Sequence, residues 1–507
     1  MERKTLRQIE FGDFQTPDEL AEAAAHVIRE RGGRPQSIVE PTCGTGSFLV
    51  AAIRTFPEAR RAVGLEINPC YFRKANARLT ELDLPQAVDL RRADFFTFDW
   101  QSVFASLPEP ILVMGNPPWV TASELGAMKA RNLPSKSNFQ HRRGLDALTG
   151  KSNFDIAEWM MLRLLEWLSG RHGTLAMLLK TTVARKVLLQ AWQRRMPLAD
   201  AAMYLFDAKE YFGVAVNACL LVCDLRPHRR TSECKVLELQ SPGTVAHTIA
   251  FHDGVLVANS ELLRRHEDLL QGSDGQPPYR WRSGIKHDCA KVMELLRTTH
   301  GLVNGLGETV SIENDYLYPM MKGSEVASGS APNGKRLMVV TQRHPGDDTK
   351  ILRRMAPKAW AYLEKHAEYL DQRSSSIYRN RARFSMFGVG PYAFTSWKVA
   401  ICGLYKKLEF AAIGPVGHKP VVLDDTCYHL ACESEAQARL LSELVNSQTA
   451  RDLYGAFVFW DAKRPITVEL LSRLNIHALA RRLGRWRELA GVSADRRHST
   501  HLARRLF

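Results

Sequence analysis

Short apolar runs alternate with longer amphipathic stretches from Ser37 to about Leu225, and the two periodicities separate strands from helices. The runs at Ser37–Glu40, Arg61–Ile67, Ala87–Arg91, Ile111–Met114, Gly173–Leu179, Ala201–Phe206 and Asn217–Cys223 read as seven strands. Ser47–Phe56, Tyr71–Leu82, Asp155–Ser169 and Ala184–Arg195 carry helical spacing between them, and Pro17–Arg31 precedes the first strand. In that first helix Thr16 is placed to cap, Pro17 to open the first turn, and Asp18 and Glu19 to complement the helix dipole. The alternation predicts an α/β fold, a parallel sheet with crossover helices.

Beyond Arg226 the alternation stops, and His228–Ser232 and Gln271–Pro278 carry the Gly, Pro and polar content of connectors. The chain therefore divides into a first domain over 1–230, a connector over 231–278 and a second domain over 279–475. Short β-like runs (Arg336–Thr341, Trp397–Cys402, Val421–Leu423) and helices (Ala356–Leu370, Glu435–Thr449) make the second domain α+β. Residues 476–507 form a basic tail, with Arg481, Arg482, Arg485, Arg487, Arg496, Arg497, Arg504 and Arg505 against Glu488 and Asp495.

Composition narrows the class. The 507 residues are 45% hydrophobic and 24% charged, ordinary globular values that exclude a disulfide-stapled miniprotein, a coiled coil and wholesale disorder. No run reaches the roughly 18 apolar residues of a membrane span, since Asp155–Leu179 is broken by Glu158, Arg163, Glu166 and Arg171. The start of the chain has no apolar run behind its basic residues, so no secretory signal is expected. Nine cysteines, odd in number and set mostly in apolar runs, read as reduced and buried, which predicts a cytoplasmic protein. The formal net charge of +15 points to a polyanionic partner.

Chemistry concentrates at two places. In SIVEPTCGTGSFLVAA a strand is followed by Gly44 and Gly46 in a tight turn and by a helix opening near Ser47, which exposes backbone N–H groups to a ligand. Glu66 ends the second strand about twenty residues after Gly46, where a carboxylate accepts from a ribose. Asp94 can accept from an adenine amine while Phe95 lies against the ring. Glu40 puts a negative charge beside the turn, which suits a cationic amino-acid moiety better than a pyrophosphate and points from NAD toward S-adenosyl-L-methionine.

The second place is GNPPW, Gly115–Trp119, at the end of the fourth strand, where open α/β sheets bind ligands. A nucleobase amine is a poor nucleophile because its lone pair is delocalised into the ring. The Asn116 side-chain oxygen and the Pro117 carbonyl can each accept one amine hydrogen and localise that pair. Pro117 and Pro118 stiffen the backbone, and Trp119 offers a face for an unstacked base.

With these motifs in this order, the chain resembles the gamma class of DNA adenine-N6 methyltransferases of restriction-modification systems, the TaqI-like group. FQTP (Phe14–Pro17) resembles that class's N-terminal cofactor motif, EPTCGTGSF its glycine motif and NPPW its catalytic motif. The resemblance covers about residues 10–225. It implies a seven-stranded Rossmann-like S-adenosylmethionine-dependent methyltransferase domain followed by a DNA target recognition domain, acting by base flipping and direct transfer. Cofactor contacts implied by it fall on Thr16, Pro17, Glu40, Pro41, Cys43, Gly44, Gly46, Phe48, Glu66, Ile67, Asp94, Phe95, Asn116 and Pro118. A second aromatic flanking the flipped adenine falls on Phe212 in KEYFGV, with Tyr211 as the fallback. Trp119 stands where Tyr or Phe is commoner, which leaves cytosine-N4 less remote as a target.

The partner implied is double-stranded DNA. Arg373, Arg379, Arg381 and Arg383 around Tyr378, with Lys322 and Arg343, are candidates for phosphate and base-edge contacts. His287 and Cys289 lack a second ligand pair, so no metal is expected. A cognate restriction endonuclease, if there is one, is a separate chain, and one site with one recognition domain is compatible with a monomer. Two alternatives stay open: another acceptor (cytosine-N4, RNA or a protein glutamine), and an inactive sequence-specific DNA-binding subunit. The 280 or so residues after Pro227 weigh against a glutamine methylase, and the intact Asn116-Pro117-Pro118 against the inactive subunit.

Overall fold

A computed structural model describes residues 14–82, 87–120, 155–272 and 279–492. Two compact units divide at Glu261/Leu262.

In the first unit seven strands, β1 (Ser37–Glu40), β2 (Arg61–Glu66), β3 (Ala87–Arg92), β4 (Ile111–Gly115), β5 (Gly173–Lys180), β6 (Leu198–Asp207) and β7 (Asn217–Leu225), lie in the order 3-2-1-4-5-7-6. β1 to β5 pair in parallel, whereas β7 runs antiparallel between β5 and β6. Hydrophobic periodicity carries no strand direction, so this reversal is absent from the pattern. β1 and β4 are buried along their whole length, as strands covered on both faces are. The order reverses between β1 and β4, and the loops leaving their carboxyl ends open the crevice that holds the site.

Helices α1 (Asp18–Glu30), α2 (Ser47–Thr55), α3 (Pro69–Thr80), α4 (Trp100–Ser106), α5 (Ile156–Leu168), α6 (Thr181–Gln193) and α7 (Ala208–Phe212) connect and cover the sheet. α1 buries Leu20, Ala21, Ala24, Ala25, Val27 and Ile28 in one core with Phe48 and Phe56, its alanines admitting close approach of α2. Leu20 and Ile28 each contribute about 1.5–3 kcal/mol by that burial. Beyond its last turn Arg31 reaches Asp224 at 2.7 Å and Asp200 at 2.9 Å, tying α1 to β7 and β6.

Of the stretch expected as a connector, 231–278, residues 273–278 lie outside the described residues, and the rest departs most from expectation. β8 (Glu233–Glu238) pairs parallel to β6, and β9 (Ser241–His252) and β10 (Val255–Val257) continue the sheet to ten strands. β10 is the edge of this sheet, and β8 and β9 turn one face to solvent: Cys234, Val236 and Ile249 are buried while charged residues between them are exposed, which dilutes the apolar signal.

The second unit is α+β, with a four-stranded sheet (Trp281–Ser283, Cys427–Cys432, Trp397–Cys402, Ala411–Ile413, in spatial order) and a six-stranded one. The expected tail is another correction. Ile476–Arg482 is a helix burying Ile476, Leu479 and Ala480, Arg482 pairs with Asp268, and Arg485 pairs with Glu443 and Glu488. Apolar residues at helical spacing dock the segment, and its arginines find carboxylates; Arg496, Arg497, Arg504 and Arg505 lie outside the described residues. Among the described residues no helix is long and apolar enough to cross a membrane.

Candidate functional site

The turn after β1 is shaped by two left-handed glycines. Gly46 (φ 86°) sits at the N-terminus of α2, and a Cβ on Gly44 (φ 51°) would lie 2.7 Å from Gln15 Oε1. Because Gly44 has none, the FQTP segment lies on the turn, and Gln15 Oε1 accepts the Thr45 N–H at 3.0 Å. Arg78 of α3 braces the same turn, bonding the Thr45 carbonyl, the Ser47 hydroxyl and Asp18.

Carboxylates hold this geometry from below. Glu66 accepts the Gly44 N–H at 2.7 Å with one oxygen and the Asn68 N–H at 2.6 Å with the other. Glu40, 2% exposed, accepts the Leu49 N–H at 2.7 Å. Burial pushes its carboxyl well above the usual range, and nearby Glu66 pushes the same way. The Cys43 thiol, also buried, is raised as well and is no nucleophile.

A cavity of about 360 Å³ opens beside the turn. Thr16, Glu40, Pro41, Cys43, Gly44, Phe48, Glu66, Ile67, Asp94, Phe95, Asn116 and Pro118 line it. Pro17 and Gly46 do not; each stands at a helix cap, where its part is in the backbone. Phe14, Gln15, Asn68, Tyr71, Val120, Ile156 and Met160 are also in the wall. The donor set fits S-adenosylmethionine: a desolvated Glu40 that a cation would relieve, Glu66 and Asp94 further along, and an Ile67 that is 46% exposed, an apolar surface for a ring.

The 116–119 corner meets this cavity. Asn116 Nδ2 donates to the Phe14 carbonyl at 3.1 Å and to the Thr16 hydroxyl at 3.2 Å, while the buried Oδ1 has no hydrogen-bond partner among the described residues. Thr16 is thus not the cap of α1, which begins at Asp18 without a side-chain cap bond; its hydroxyl serves Asn116.

Trp119 differs from expectation. It is 6% exposed, its Nε1 donates to the Leu178 carbonyl, and it meets Phe212 edge-on at 5.5 Å and 70°. Phe14 packs on both, 5.8 Å from each ring. A base sandwiched between two rings needs their planes roughly 7 Å apart and near parallel, twice the contact distance. The described structure holds no such slot between Trp119 and Phe212: the two rings touch edge-on, and Phe14 packs against both from the side. Tyr211 packs on Phe206 instead.

In the second unit the basic candidates separate. Arg373 donates to the Leu370, Ser385 and His287 carbonyls and lies 3.7 Å over the Tyr378 ring, so its guanidinium holds the loop together. Lys322 is engaged by buried Glu294 at 2.7 Å, Arg343 by the Tyr318 hydroxyl at 2.9 Å and Arg383 by Asp371 at 2.6 Å. We therefore correct the assignment of Arg373 and Lys322, whose charges are committed internally. Arg379 and Arg381 flank Asn380, itself left-handed at φ 61°, and both are exposed with no ion-pair partner among the described residues. His287 Nδ1 accepts the Cys289 N–H, a local turn contact.

Residues 5–186 match the family model described as N-6 DNA Methylase. A type II methyltransferase of a Nostoc species, M.NspV, is 45% identical over 474 residues, spanning 94% of this chain and 98% of that protein. The chain belongs to the N-6 DNA methylase family. A second relative of this methylase, the type II methyltransferase M.CvrRI of Paramecium bursaria Chlorella virus XZ-6E, is 32% identical over 111 residues, 22% of this chain and 25% of its own. Among solved structures, the type IIL restriction-modification enzyme MmeI in complex with DNA superposes with a TM-score of 0.51 over 92% of this chain at 15% identity, a likeness of fold. The methylase spans 65% of that enzyme's length. It is an S-adenosylmethionine-dependent DNA methyltransferase.

Proposed function

We propose that this methylase is a gamma-class, TaqI-like enzyme that methylates the N6 amine of an adenine everted from duplex DNA. The observation that carries the reading is the Asn116 amide: its donor end is held by Phe14 and Thr16, leaving a buried acceptor beside the cofactor cavity. Oδ1 accepts one hydrogen of the target amine and the Pro117 carbonyl the other, turning the nitrogen lone pair outward. S-adenosylmethionine supplies a methyl group on a sulfonium sulfur. Glu40 faces the ammonium, Glu66 the ribose hydroxyls, and Asp94 with Phe95 and Ile67 the adenine of the cofactor. Trp119 and Phe212 flank the everted base once the three-ring cluster that they form with Phe14 has opened. Transfer is direct, with no covalent base intermediate, so no cysteine is needed.

The second unit reads the target, with Arg379 and Arg381 on the DNA. Any cognate nuclease is a separate chain, and the enzyme acts as a cytoplasmic monomer. The test is methyl transfer from labelled S-adenosylmethionine to duplex DNA and to RNA, followed by identification of the modified base. Asn116→Ala should abolish transfer with cofactor affinity preserved. A preference for RNA, N4-methylcytosine as product, or joint loss of cofactor binding and transfer would each overturn the reading.

A further inference from the structure

β4 ends at Gly115, opposite Met177, whereas β5 runs on through Leu178 and Leu179 to Lys180. This overhang lies alongside the corner that leaves β4, and it grips Trp119 twice. The Leu178 carbonyl accepts the indole Nε1–H at 3.3 Å, and Lys180 Nζ donates to the Trp119 carbonyl at 3.1 Å. The same ammonium bonds Asp155 Oδ2 at 3.1 Å. Asp155, 6% exposed, uses its other oxygen to cap α5 at the Ala157 N–H, and the next residue, Ile156, donates to the Val120 carbonyl. On the opposite side the Asn116 carbonyl accepts from Thr42 in the glycine turn.

We propose that Lys180 is a positioning residue for methyl transfer: held by Asp155, its ammonium fixes the Trp119 carbonyl and with it the orientation of the 116–119 corner. The inference rests on the reading of Asn116 and Pro117 as acceptors. Prolines at 117 and 118 leave few soft torsions between Asn116 and Trp119, so a displacement at one end is carried to the other. An ammonium is suited to this task because a hydrogen bond from a charged donor to a carbonyl is stronger than a neutral one. Asp155 is needed because a half-buried lysine without a partner would turn to solvent. Lys180 touches neither base nor cofactor in this scheme, and its effect reaches chemistry only through geometry.

The experiment compares wild type with Lys180→Met, Lys180→Arg and the double variant Lys180→Met/Asp155→Asn, which leaves no lone buried charge and keeps an acceptor for the cap. Each is assayed for single-turnover transfer to duplex DNA at saturating cofactor, for cofactor Kd and for melting temperature. Positioning predicts a loss of roughly 10²-fold in the transfer rate for Lys180→Met and for the double variant, the size expected of an ångström-scale misplacement. Cofactor Kd should hold within about threefold, and Lys180→Arg should recover part of the rate. An unchanged rate in Lys180→Met overturns the proposal. So does recovery in the double variant, because Lys180 would then merely neutralise Asp155. Absence of DNA methylation by wild type would instead overturn the functional reading beneath it.

Discussion

Asn116 Nδ2 and Thr16 Oγ1 lie 3.2 Å apart, a second acceptor for the amide end that the Phe14 carbonyl orients. A hydroxyl can accept there and a methyl group cannot. Thr16→Val should therefore lower single-turnover transfer by up to about tenfold, the worth of one hydrogen bond, while Thr16→Ser stays near wild type. Equal losses in both variants would assign Thr16 a packing role.

Glu40 predicts a pH-dependent affinity. Its carboxyl is raised by burial, and a cationic ligand favours the ionised form, so binding should expel a proton. Cofactor affinity should rise as pH rises through the raised value, and Glu40→Gln should bind more weakly with a flatter profile. Calorimetry in buffers of different ionisation enthalpy reads the proton directly. Proton uptake would contradict the assignment.

Arg379 and Arg381 are exposed with no ion-pair partner among the described residues, whereas Arg373 is bonded to three carbonyls. Replacing the first two with Gln should weaken DNA binding and lower the salt slope by about 0.9 for each phosphate that is no longer neutralised. Arg373→Met should instead depress the melting temperature, since it strands three carbonyls on a half-buried loop. A salt slope that changes only in Arg373→Met would reverse this division.

Lys398 makes the second unit sensitive to pH. It is 1% exposed, donates to the Thr395 carbonyl, and burial pulls its pKa down to about 7. The unfolded side chain titrates near 10.4, so between the two values the unfolded chain binds more protons and stability rises with pH. Below about 7 both states are protonated, and the penalty is complete and constant. From pH 7 to 9 wild type should gain roughly 5 °C in melting temperature relative to Lys398→Met. Parallel curves for the two proteins would show that the amine is charged in the fold.

The parallel core of the first unit was legible because its strands are buried on both faces and leave continuous apolar runs; β1 coincides with Ser37–Glu40. The glycine turn and Asn-Pro-Pro corner were legible because each packs unusual backbone chemistry into adjacent residues. Contacts across long sequence separations were not. Nothing in the sequence ties Lys180 to Trp119, or Arg78 to the turn at Thr45. Arg373 misled for a related reason: a guanidinium clasped by carbonyls and one open to solvent have the same one-letter code. β8 and β9 were hidden because their solvent-facing residues break the apolar runs.

The two halves of the reaction meet unequal surfaces. The donor side is a finished mould, its backbone amides already satisfied by Glu66 and Glu40 and its ordering cost met during folding. The acceptor side is closed by the mutual contact of the Phe14, Trp119 and Phe212 rings, and the Phe14 carbonyl steadies Asn116. Phe14 thus contributes its ring to that closure and its carbonyl to the amide, so the closure of the aromatic cluster and the aim of Asn116 are built on one residue.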